Sequence, residues 1–159
     1  MKRSLLQSIG IIIISGALGI GVNAFRAEGI PLMERWQEKV LNEQLTGGLP
    51  AVSLKQVKEA HRGGNVLFVD ARDPDFFEQG HIPGALSLPV GDFDSVFPRL
   101  EKQIRSAPRV ITYCDSANCE MSVELTEKLL LAGLEYVEIF TGGILQWQGA
   151  GLPVVGGRN

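Results

Sequence analysis

Cysteine is scarce in this sequence, with two residues in 159, and that excludes a small scaffold held together by disulfides. Basic residues are not in excess: the formal net charge is −3, which excludes a domain that binds nucleic acid mainly through its phosphates. Aromatic residues are few, at 7%, but hydrophobic residues in all make up 45%, enough to build a core and too many for a disordered chain. Only two histidines occur. A zinc site drawn from Cys114, Cys119, His61 and His81 would have no paired ligand spacing, and no metal is expected. No Walker-type glycine loop and no Ser-His-Asp ordering with motif support is present, and no motif calls for a cofactor.

Charge is missing altogether from Ser4 to Phe25, just after Lys2 and Arg3. The first 25 residues therefore carry +2 and the remainder −5, an acidic body behind an apolar head. As a helix, Ser4–Phe25 would run ~33 Å, against ~30 Å for a hydrocarbon core. Residues 1–25 are expected to form a single transmembrane anchor, or else a cleaved signal peptide, for which Val22-Asn23-Ala24 offers a loose cleavage site. In a bacterium, Lys2 and Arg3 would keep the start in the cytoplasm and put the C-terminal domain in the periplasm, on the inner membrane. Without the anchor it would be secreted there. Gly10, Ala17 and Gly21 leave small surfaces for a partner helix of another membrane protein. Residues 26–49 form a connector, with an amphipathic helix that presents Leu32, Met33, Trp36, Val40, Leu41 and Leu45 on one face, ending at Gly47-Gly48.

Residues 50–159 form the domain proper, about the length one core needs. Short apolar runs at Val66–Val69, Leu86–Leu88, Val110–Tyr113 and Val137–Phe140 read as strands. Helical stretches lie between them: Ser53 to His61, Asp73 to Gln79, Phe93 to Arg105 with a break at Pro98, and Ser122 to Ala132, with a last short one around Trp147. Strands alternating with helices predict an α/β fold with a mainly parallel sheet covered on both faces. In such sheets ligands sit beyond the carboxyl ends of the strands. Cys114 immediately follows one strand and precedes a helix, where backbone N–H groups and the helix dipole favour a thiolate or persulfide anion. A cysteine can equally be a small buried hydrophobe.

Several motifs converge on a family. Val69-Asp70-Ala71-Arg72, Phe76, Gly80-His81-Ile82-Pro83-Gly84-Ala85-Leu86 and Leu88-Pro89 resemble the first half of rhodanese-like domains. Tyr113-Cys114, Gly133-Leu134, Gly142-Gly143, Trp147 and Gly151-Leu152-Pro153 resemble the second half, so the likeness spans residues 50–155. It implies a parallel five-stranded sheet flanked by helices. It also implies a sulfurtransferase in which Cys114 takes a sulfane sulfur from a small donor, becomes a persulfide, and passes the sulfur to a thiol acceptor. Asp70, Arg72 and His81 match positions that support the site: a salt bridge for Arg72 and a turn-fixing hydrogen bond for His81.

The active-site loop departs from the family pattern. It runs Cys114-Asp115-Ser116-Ala117-Asn118-Cys119-Glu120-Met121-Ser122, two residues longer than usual and without Lys or Arg. Asp115 and Glu120 would repel thiosulfate, a dianion, at ~1 kcal/mol or more per close pair. Glu120 also stands where a phosphatase on this fold needs arginine. Cys119 is the candidate resolving cysteine, able to attack an oxidised or persulfidated Cys114, or else a residue that shapes the loop. A thiol-disulfide redox protein using Cys114 and Cys119, and a non-catalytic binding module, are the alternative readings.

Overall fold

The computed structural model describes residues 2–25, 44–116 and 120–156, and within the first helix it describes the side chains of residues 7–22. The chain divides into two compact units, Met1–Glu38 and Lys39–Asn159.

The first unit contains helix α1, Lys2–Phe25. Ile11, Ile12, Ile13 and Ile14 are four consecutive residues and so point all round the helix; each is 64–70% exposed. The expected membrane span is not met by the described residues, among which no helix is long and apolar enough to cross a membrane. The amphipathic connector helix falls largely outside the described residues. Its described end, residues 44–46, is helical, and Gly47 and Gly48 close it with φ of 61° and 87°. Only glycine adopts such values freely, which is why the pair stops the helix.

The second unit is built on five parallel strands: β1 Ala51–Val52, β2 Leu67–Asp70, β3 Leu86–Ser87, β4 Val110–Tyr113 and β5 Val137–Phe140. Their order is β1-β5-β4-β2-β3, with β4 at the centre. Register is set by pairs such as Val69↔Thr112 and Thr112↔Ile139. The connecting helices are α2 Leu54–Gly63, α3 Pro74–Gln79, α4 Phe93–Ser106, α5 Met121–Leu131 and α6 Gly143–Gly149. Ser53 and Gln56 form the expected capping box at α2, and Pro74 opens α3.

Alternate strand residues face opposite sides, and both sides are dry. Val69, Val110 and Val137 join Phe97, Ile104, Leu125 and Leu129 in one core beneath α4 and α5. Phe68, Ile111 and Phe140 join Val57, Ile144 and Trp147 in the other, beneath α2 and α6. A strand buried on both faces must be apolar throughout, which explains the short unbroken runs.

Two expectations change. The sheet's fifth strand is β1, only two residues long, which pairs with β5 through Ala51↔Ile139 and Val52↔Phe140. The predicted break at Pro98 does not occur: α4 is continuous through it. Proline removes one backbone donor, at a cost of ~3 kcal/mol in an isolated helix. Burial of Phe97 and Ile104 on either side of it offsets that cost.

Candidate functional site

The carboxyl end of the sheet is the place to look for chemistry, since every strand ends there and the loops diverge. Cys114 directly follows β4, the central strand, and is 1% exposed. It packs in the same core as Ala71, Leu88 and Leu125. Its carbonyl accepts the Ile144 N–H at 2.8 Å, and the Asp115 carbonyl accepts the Leu145 N–H at 3.0 Å. The start of α6 therefore clamps the start of the cysteine loop. This clamp needs Gly143, at φ 58°: a β-carbon there would stand 2.5 Å from the Cys114 carbonyl oxygen. The sequence marked Gly142-Gly143 only as part of the family likeness. Its role in seating the loop depends on contact between segments far apart in the chain.

Cys114 is disulfide-bonded, and among the described residues no cysteine is free. Its Sγ lies 3.8 Å from the Ser116 carbonyl oxygen. A disulfide sulfur has no proton to donate, so this is a packing contact. Cys119, Ala117 and Asn118 lie outside the described residues. Asp115 and Ser116 are half-buried, Glu120 is exposed, Met121 is half-buried and Ser122 is buried in the first turn of α5. The Ser122 carbonyl accepts the Thr126 hydroxyl at 2.8 Å, and Thr126 bonds Thr112 at 2.6 Å, which ties α5 to the central strand.

Arg72 connects the loop to β2. Its Nε and Nη2 donate to the two oxygens of Asp70 at 2.9 and 2.7 Å, and Nη2 also donates to the Gly80 carbonyl at 2.8 Å. Its Nη1 reaches Asp115, residue 115 following the cysteine, at 3.3 Å. Asp70 is wholly buried and the Asp115 side chain 42% exposed. Burial works against the Arg72 charge, but the hydrogen bond and charge of Asp70 outweigh it, and the guanidinium is held more firmly protonated than usual. The expected Arg72 salt bridge is present, and its extension to Asp115 could not be read from the sequence.

Tyr113 closes the cluster. Its hydroxyl oxygen accepts the Ile82 N–H at 3.2 Å, and its ring lies 6.0 Å from the Arg72 guanidinium carbon. Burial raises the phenol pKa far above its ordinary 10.0, and the neighbouring Asp70 charge and hydrogen bond raise it further. The hydroxyl thus stays neutral.

His81 fixes a turn. Its Nδ1–H donates to the Phe77 carbonyl at 2.8 Å, and its ring stacks on Phe77 at 3.7 Å. Its backbone pairs with Val155 in both directions, at 2.8 and 3.0 Å. The following Ile82-Pro83-Gly84-Ala85 turn carries Gly84 at φ 81°, and the Ala85 N–H bonds the Ile82 carbonyl at 3.0 Å. His61 lies against the rings of Phe68 and Trp147. Among the described residues no group of His, Cys, Asp and Glu is arranged to hold a metal ion.

These features define a class: a doubly covered parallel α/β domain with a cysteine at the carboxyl end of its central strand. The Rhodanese-like domain pattern matches residues 53–150, and the chain belongs to that family. A sulfurtransferase of Allochromatium vinosum is 35% identical over 91 residues, covering 57% of this chain and 79% of that protein. An HTH-type transcriptional regulator of Mycobacterium tuberculosis is 31% identical over 104 residues, covering 65% of this chain and 44% of the regulator. The chain thus spans less than half of the regulator's length. The solution structure of a Rhodanese-like domain from Anabaena superposes with a TM-score of 0.58 at 25% identity, covering 67% of this chain and 79% of that one.

Proposed function

We propose that the chain is a membrane-anchored sulfurtransferase in which Cys114 carries sulfane sulfur from a small donor to a thiol acceptor. The observation that carries this reading is the position of Cys114, at the carboxyl end of the central strand with its backbone clamped by α6. The reduced Cys114 thiolate attacks the outer sulfur of a donor R–S–SH. The donor S–S bond breaks, RS⁻ leaves, and Cys114 becomes a persulfide. An acceptor thiolate then attacks the outer sulfur and Cys114 leaves as a thiolate.

Thiosulfate is a poor donor in this account. Among the described residues the buried guanidinium beside the loop, Arg72, is already paired with Asp70 and Asp115, and the loop adds a further exposed carboxylate at Glu120. Each close carboxylate disfavours a dianion by ~1 kcal/mol or more. A persulfide carried on a thiol brings less charge to the site. The anchor is supported by the uncharged run Ser4–Phe25 and by isoleucines exposed all round α1. It would hold the domain at the periplasmic face of a bacterial inner membrane. The test is incubation of the reduced protein with thiosulfate, polysulfide or glutathione persulfide, with intact mass as the readout. The proposal expects a gain of one sulfur from the last two donors, lost in Cys114→Ser. Equal gain by Cys114→Ser would sink it.

A further inference from the structure

Asp115 directly follows Cys114 and brings a carboxylate to the start of the cysteine loop. Its side chain is 42% exposed, and a carboxylate so open to water turns freely unless a partner holds it. Arg72 is that partner. The Nε and Nη2 groups of Arg72 are committed to Asp70 and the Gly80 carbonyl, and Nη1 holds Asp115 at 3.3 Å. We propose that Asp115, held beside Cys114 by Arg72, is the residue that selects sulfur donors by charge, turning away dianions and admitting donors of lower charge. The inference rests on the sulfurtransferase reading above and deepens it, naming the residue that sets the donor class.

The backbone fixes the same geometry. The Asp115 carbonyl accepts the Leu145 N–H at 3.0 Å. The Ala71 N–H bonds the Tyr113 carbonyl at 2.9 Å, which keeps Arg72 level with the residues that follow β4. Neither contact involves a sulfur atom, so both serve the reduced chain in which loading begins. Charge within the cluster is also distributed unevenly. Asp70 is wholly buried and accepts from Arg72 through both of its oxygens, a pair that is close to neutral from outside. Tyr113 stays un-ionised beside them and adds no charge. The charge that an arriving donor meets in this cluster is therefore that of Asp115, half open to solvent.

Two donors isolate the effect of charge. Thiosulfate is a dianion and methanethiosulfonate a monoanion, and each offers the same kind of S–S bond. The Cys114 thiolate attacks the outer sulfur of either. The S–S bond breaks with its electron pair, sulfite leaves from one donor and methanesulfinate from the other, and Cys114 is left as a persulfide. Charge and atoms balance in both cases, with no oxidant or reductant. A like charge ~4 Å away disfavours approach about fivefold per unit of donor charge, even at the dielectric of water. Asp115→Asn keeps the side chain's shape and removes its charge. A change of shape in the loop moves both donors alike, so the ratio of their rates reports charge.

The test uses the full chain, reduced, with loading of Cys114 by each donor at low salt followed by intact mass. Asp115→Asn is expected to raise the ratio of thiosulfate rate to methanethiosulfonate rate about fivefold. Asp115→Glu, which keeps the charge, is expected to stay within about twofold of the wild type. Glu120→Gln, at an exposed position at the start of α5, is expected to move the ratio by less than about twofold. Added salt should raise the ratio in the wild type, and raise it less in Asp115→Asn. An unchanged ratio in Asp115→Asn, or an equal shift in Asp115→Glu or Glu120→Gln, overturns the inference. The sulfurtransferase reading then still stands, provided glutathione persulfide loads Cys114. If none of the three donors adds sulfur to the wild type, both readings fall. The wild-type salt response decides the matter even if a variant folds poorly: a ratio that fails to rise with salt overturns the inference.

Discussion

Replacing Gly143 by alanine tests whether the seat of the cysteine loop depends on a bare backbone. Two costs add. The residue sits at φ 58°, where a side chain costs ~1–2 kcal/mol. The new β-carbon would also stand 2.5 Å from the Cys114 carbonyl oxygen, about 1 Å inside ordinary contact. Relief requires α6 and the loop to part, which loosens the 2.8 Å Ile144–Cys114 and 3.0 Å Leu145–Asp115 hydrogen bonds. At ~1 kcal/mol for each bond, the total loss is about 3–4 kcal/mol. Urea unfolding followed by tryptophan fluorescence should show a lower midpoint, since Trp147 lies on α6. Sulfur loading by glutathione persulfide should fall in the fraction that remains folded, because Cys114 is displaced. Gly149→Ala is the control: nothing lies within 4 Å of its β-carbon position, so stability should hold or rise slightly. A Gly143→Ala protein with unchanged midpoint and unchanged loading would refute the reasoning.

Other perturbations follow from the same contacts. Asp70→Asn should destabilise the fold by ~3 kcal/mol in urea, because Arg72 would keep only the longer Asp115 pairing for its buried charge. Tyr113 has a folded pKa above its unfolded value of 10.0, so its contribution is intact below pH 10 and is lost as pH rises past it. Stability should therefore decline above pH 10, by up to ~1.4 kcal/mol per pH unit for this group, and Tyr113→Phe should remove that part of the decline. His81→Ala should lower stability by ~1 kcal/mol through loss of the Phe77 bond, yet leave the pH profile of sulfur loading unchanged between about pH 5 and 8. A changed profile would give His81 a proton-transfer role.

The sequence discloses what is local. Short apolar runs mark β2, β4 and β5 within a residue, and the Ser53–Gln56 pair marks the start of α2. Cys114 is placed at a strand end by the run that precedes it. What stays hidden is non-local or too short to show a period. Two residues, Ala51 and Val52, carry no alternation, and they form a strand only because β5 offers its edge. Arg72 and Asp115 are 43 positions apart, and their contact exists only once β2 and β4 pair. The closure of the chain by Val155 on His81 is likewise a product of the folded turn. Pro98 misleads in the opposite sense: its local preference for a break is overridden by the core on which Phe97 and Ile104 are buried.

The central claim is that Cys114 carries sulfur. Its most direct test is to charge reduced Cys119→Ser protein with glutathione persulfide, trap it with an alkylating agent, and map the peptides by mass. The account predicts one added sulfur on the peptide that contains Cys114, and none when Cys114 is also changed to serine. Added sulfur elsewhere, or none at all on Cys114, would contradict it.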